Sequence, residues 1–96
     1  MQGSTVTQDL ARGIARVIYG KGYARLVAGK RTLAYANDRK GGLQLDFRAA
    51  DVGDAPARLR KRATVNGDRA LVTVTPKNAA GARALLEHVA RKAGQA

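Results

Sequence analysis

The 96-residue chain has no cysteine, no tryptophan, a single phenylalanine, a single histidine and two prolines. Without cysteine there is no disulfide framework, no thiolate metal site and no cysteine nucleophile. One histidine, His88, does not by itself make an ordinary transition-metal site. Acidic residues number 7 against 18 Lys and Arg, and no two of them form a close pair suited to two-metal chemistry. The expectation is a protein without a metal or other cofactor. No apolar run approaches the ~20 residues of a membrane span. The opening Met1-Gln2-Gly3-Ser4-Thr5 lacks the basic and apolar regions of a secretory signal. A cytoplasmic protein with no membrane partner is expected. Large apolar side chains are also few: hydrophobic residues make up 45% of the chain, but 19 of them are Ala and only 20 are Leu, Ile, Val or Phe. Length and this thin apolar supply indicate one small domain over residues 1–96 and exclude a multidomain enzyme.

What the chain has in excess is positive charge. Its formal net charge is +11 and its isoelectric point lies near 11.2. Self-repulsion of that size opposes compaction and is relieved against a polyanion, so the charge speaks about partners rather than fold. The excess is uneven, at +1 over residues 1–19, +5 over 20–48, +2 over 49–62 and +3 over 63–96.

Residues 5–19 follow a helical period through Val6, Leu10, Ile14, Val17 and Ile18. Thr5 and Gln8 fit a capping box, Asp9 suits the positive end of the dipole, and Gly20 and Gly22 provide the stop. The period then changes to two. A turn at Gly29-Lys30, of the type that places Gly first, pairs Leu26 with Leu33 and Ala24 with Tyr35. A loop over 37–42 leads to a third strand in which Leu43, Leu45 and Phe47 alternate with Gln44, Asp46 and Arg48. Asp54-Ala55-Pro56 starts a short helix whose one large apolar residue is Leu59. A second hairpin runs from about Ala63 to Thr75 through Asn66-Gly67-Asp68, with Val65 facing Ala70. Thr75-Pro76 opens the last helix, with Ala82, Leu85, Leu86, Val89 and Ala93 at helical spacing. The fold class is therefore α+β, in the order α-β-β-β-(short α)-β-β-α, with antiparallel hairpins forming a sheet and the terminal helices packed on one face.

Nearly half of the charge excess belongs to the first hairpin and its surroundings. Tyr23 and Arg25 point away from its leucine face, and Lys21, Lys30 and Arg31 sit at its turns. Cations interleaved with an aromatic ring suit nucleic acid, since the cations neutralise phosphates and a ring stacks on a base. Arg39 and Lys40 form a basic loop beside Gly41-Gly42. Arg58, Arg60, Lys61 and Arg62 place four cations in five residues, a run that either grips phosphates or keeps a surface helix soluble. Tyr19-Gly20-Lys21-Gly22-Tyr23 is not a phosphate loop, because it follows a helix and lacks a Gly-Lys-Ser/Thr ending. His88 lies off the apolar stripe of its helix and reads as a solvated residue; a role as general base would need a partner such as Asp46 or Asp68.

These features favour a non-enzymatic nucleic-acid-binding protein, with duplex DNA preferred over RNA. No helix-turn-helix and no zinc ligands are present, which leaves hairpins and loops as the contacting elements. The alternative is a protein-binding module, such as a small inhibitor or assembly component of a phage or mobile element, docking its positive face on an acidic surface. A basic RNase toxin is a third reading, but nothing marks its nucleophile or base. The thin core further suggests a homodimer or membership of a larger assembly, with Val27 and Val52 as candidate contact residues.

Overall fold

The computed structural model describes residues 2–39 and 42–94. Helix α1 (Gln2–Ala11) leads into strands β1 (Arg16–Gly20), β2 (Tyr23–Ala28), β3 (Arg31–Arg39) and β4 (Gly42–Arg48). Two single turns, α2 (Ala49–Val52) and α3 (Ala57–Arg60), precede β5 (Thr64–Asn66), β6 (Arg69–Val74) and α4 (Ala79–Gly94). The strands form one six-stranded antiparallel sheet in the order β1-β2-β3-β4-β6-β5. The α+β class and the two terminal helices are as the sequence indicates.

The helix expected over 5–19 ends early. Gly13, at φ +76°, takes the left-handed conformation that only glycine adopts cheaply, and Ile14 and Ala15 donate to the Ala11 carbonyl to close the turn. Beyond it, Val17, Ile18 and Tyr19 are β-branched and aromatic residues that suit a strand, and they pair with β2 through Ile18↔Arg25 and Tyr19↔Ala24. Gly20 therefore ends β1 and Gly22 lies in the hairpin turn, and neither is a helix stop. Because α1 already runs from Gln2, Thr5 is inside it rather than at its cap, and Asp9 sits near its end. There Asp9 pairs with Arg12 at 3.0 Å.

The turn at Gly29-Lys30 forms as expected, with Gly29 at φ +62° and Ala28 opposite Arg31. One step further the register shifts: Val27 still faces Thr32, but Leu26 faces Ala34 and Arg25 faces Tyr35. The bulge breaks the expected Leu26–Leu33 and Ala24–Tyr35 pairs, yet Leu26 and Leu33 both remain buried. The loop expected over 37–42 is shorter, since β3 continues through Arg39 and pairs it with Gly42.

All of the helices cover one side of the sheet. Leu10 and Ala11 of α1, Val52, Leu59, and Ala82, Leu85, Leu86 and Val89 of α4 join Leu26, Leu45, Phe47 and Val72 in a single core. Asn78 sets the start of α4 rather than Thr75-Pro76: its Oδ1 accepts from the Thr75 amide at 2.6 Å, and its carbonyl accepts from Ala82 at 2.9 Å. Val52 is in the core and Val27 is only 5% exposed, so neither is available as the contact surface expected of them.

Candidate nucleic-acid interface

Because the helices take one side, the opposite face of the sheet has no covering layer. Strand alternation decides what stands there. One row crosses all six strands as Ile18, Arg25, Tyr35, Asp46, Leu71 and Thr64, and the neighbouring positions add Arg16, Arg39, Arg48 and Arg69. With five spacings of about 4.8 Å, the face is about 24 Å wide. Among the described residues it presents five arginines and one carboxylate, Asp46.

Two rings lie on this face. Tyr23 and Tyr35 are tilted against one another with centroids 6.0 Å apart. A Cβ on Gly20 would stand 2.6 Å from the Tyr23 ring, so glycine there lets the ring lie across β1. Tyr23 is 43% exposed, which leaves ring surface for a base or sugar. Arg25 reaches Thr32 Oγ1 at 3.5 Å, and Arg16 donates to the Gly29 carbonyl at 3.1 Å. Val27 is buried beneath this layer, outside the core.

The residues singled out from the sequence divide among several places. Tyr23, Arg25 and Arg39 belong to the open face, while Lys21 and Lys30 are exposed at the turns bounding β2. Arg31 is committed elsewhere: its guanidinium donates to Asp51 Oδ1 at 2.9 Å, and Asp51 is only 5% exposed. Lys40 lies outside the described residues. Arg58 and Arg60 on α3, with Lys61 and Arg62 after it, are in the helical layer, since Leu59 between them anchors α3 in the core beside α4. Arg62 lies over Gly81 of α4, where a Cβ would collide with its guanidinium. The open face and the 58–62 run are thus two separate cationic regions.

Arg16, Arg48, Arg69 and Tyr35 join the site without having been singled out. Arg48 and Arg69 are direct cross-strand partners through the β4–β6 pairing, which links segments far apart in the sequence. The alternation of β4 alone carried the signal for Arg48, since Gln44, Asp46 and Arg48 share one face.

On the helical side, His88 is not a freely solvated residue. With its proton on Nε2 it donates to Asp54 Oδ1 at 3.1 Å, while Lys92 approaches the same oxygen at 3.3 Å and donates to the Ala50 carbonyl at 2.9 Å. Neither Asp46 nor Asp68 is its partner. The hydrogen bond from His88, then that from Lys92, lowers the Asp54 carboxyl below its ordinary value of 3.8. A group whose folded pKa is depressed contributes stability above its unfolded pKa and loses it as pH falls through the folded one. An NMR titration of Asp54 is expected to give a midpoint below 3.8 that rises on His88→Ala. A midpoint unmoved by that substitution would remove His88 as the cause.

Among the described residues no helix is long and apolar enough to cross a membrane, and no three His, Asp or Glu side chains gather as metal ligands would. Compared with protein-family models, with curated proteins and with solved structures, the chain matches none.

Proposed function

We propose that the protein is a small, non-enzymatic nucleic-acid-binding protein that holds duplex DNA through phosphate contacts from the open face of its sheet. The observation that carries this reading is the uncovered face itself. Five arginines, two tyrosines and polar residues such as Gln44 and Thr73 occupy it, against the single carboxylate of Asp46. A purely structural sheet face in a chain of net charge +11 gains nothing from concentrating cations where they repel each other, whereas a polyanion turns that repulsion into affinity. The turn cations Lys21 and Lys30 extend the same surface at its ends. A cytoplasmic setting and a homodimer or larger assembly belong to the same proposal, with any dimer contact made by residues other than Val27 and Val52.

Titration of the protein with fluorescent duplex DNA over a range of salt concentrations tests the reading. If about six phosphates are neutralised, log K falls against log salt with a slope near −5. A slope shallower than about −2, or binding to polyglutamate as tight as to DNA, would favour the protein-binding module instead.

A further inference from the structure

We propose that the cleft where β3 and β4 diverge is a phosphate-binding subsite, in which Arg48 and Arg69 hold one internal phosphodiester of the bound strand. The inference rests on the nucleic-acid reading for the source of the phosphate, but its geometry stands apart from it.

Three observations define the cleft. First, the β3–β4 ladder runs only from Arg39↔Gly42 to Tyr35↔Asp46; beyond it, Arg31, Thr32 and Ala34 pair with β2, while Phe47 and Arg48 pair with β6. The two strands part there, next to the bulge, and leave a half-open hollow of about 350 Å³. Tyr35, Arg48 and Arg69 line both this hollow and the adjoining one that reaches Asp68.

Second, Arg48 and Arg69 stand directly opposite each other on one face. Like charges in that position are destabilising unless something lies between them. The Arg48 side chain is exposed and makes no hydrogen bond or ion pair among the described residues. Arg69 has only a loose contact, 3.6 Å to Asp46 Oδ1, an oxygen that is buried without a hydrogen-bond partner. Two guanidinium forks side by side match the paired oxygens of one phosphate.

Third, the charge of the lining suits a single anion. Lys30, Arg31, Arg48 and Arg69 face one carboxylate, that of Asp46, and Arg31 is already held by Asp51. The remaining excess attracts one phosphate, and Asp46 discourages a second.

The test uses the whole protein and two probes. Inorganic phosphate, titrated at constant ionic strength against chloride, is expected to shift the Nε–H signals of Arg48 and Arg69 saturably in the millimolar range and to leave those of Arg58 and Arg60 unmoved. With duplex DNA bearing 5′-hydroxyl ends, the double variant Arg48→Ala/Arg69→Ala is expected to bind about 8-fold more weakly at 0.1 M salt, the effect of one lost phosphate contact. The pair Arg58→Ala/Arg60→Ala serves as a control of equal charge. Small, unsaturable shifts at all arginines, or equal losses in the two double variants, would overturn the subsite and leave nucleic-acid binding in place. Saturable phosphate binding in a protein that does not bind DNA would keep the subsite and overturn the nucleic-acid reading. Markedly tighter binding of 5′-phosphorylated ends would overturn the assignment to an internal phosphodiester.

Discussion

Replacing Arg25, Arg39, Arg48 and Arg69 together with Ala is expected to weaken duplex DNA binding by roughly 500-fold at 0.1 M salt, and to flatten the salt slope by about 3, since Arg48 and Arg69 share one phosphate. Removing the same four charges from Arg58, Arg60, Lys61 and Arg62 is expected to cost less than about tenfold, with little change in slope. Both quadruple variants carry the same net charge, so a diffuse attraction predicts equal losses. The difference comes from geometry alone. The first set stands on one uncovered surface beside Tyr23 and Tyr35, and the second stands on α3 and its end in the helical layer. Arg31 is not in the first set, because it holds Asp51. Its removal would strand the buried carboxylate of Asp51, whose Oδ2 already lacks a partner, and so destabilise the fold rather than report on binding. Parallel titrations of the two variants, with circular dichroism to confirm that both are folded, make the comparison; equal losses would leave no defined binding face.

The parts of the fold that were readable are those in which local chemistry and tertiary packing agree. Asn66-Gly67-Asp68 gives the β5–β6 turn, with Gly67 at φ +64° and Val65 opposite Ala70. The spacing of Ala82, Leu85, Leu86 and Val89 gives the buried stripe of α4. Residues 12–19 were misleading because Val6, Leu10, Ile14, Val17 and Ile18 fit a helical stripe by position while Gly13 interrupts it by conformation. The register between β2 and β3 was unreadable for another reason: a bulge is chosen by packing, and Leu33 has no local mark that sets it apart from a paired residue. The site divides along the same line. Tyr23 and Arg25 follow from alternation within one hairpin, but the Arg48–Arg69 pair exists only because β6, and not β5, adds next to β4. That choice depends on the whole sheet.

Phe47→Ala is expected to remove most of the stability of the protein. Phe47 is fully buried, at 0% exposure, on the covered face of β4 between the sheet and the helices. Truncating a buried Phe to Ala costs about 3–5 kcal/mol, against about 5–15 kcal/mol for a whole domain. The upper part of that range applies, because 7 of the 20 core members among the described residues are alanines. An alanine has no side-chain torsion with which to swing into a hole, so the cavity stays open and its lining loses contacts outright. Self-repulsion at +11 lowers the starting stability further. Urea denaturation at moderate salt measures the loss, and the melting temperature is expected to fall by about 15 °C or more. Val65→Ala is the control: Val65 is 65% exposed on the short edge strand β5, and its truncation is expected to stay within about 0.5 kcal/mol. Duplex DNA, by binding only the folded form, is expected to restore part of the Phe47→Ala loss, by an amount that grows with the logarithm of its concentration. A loss below about 1 kcal/mol for Phe47→Ala would show that the covered face of the sheet is not where this domain is held together.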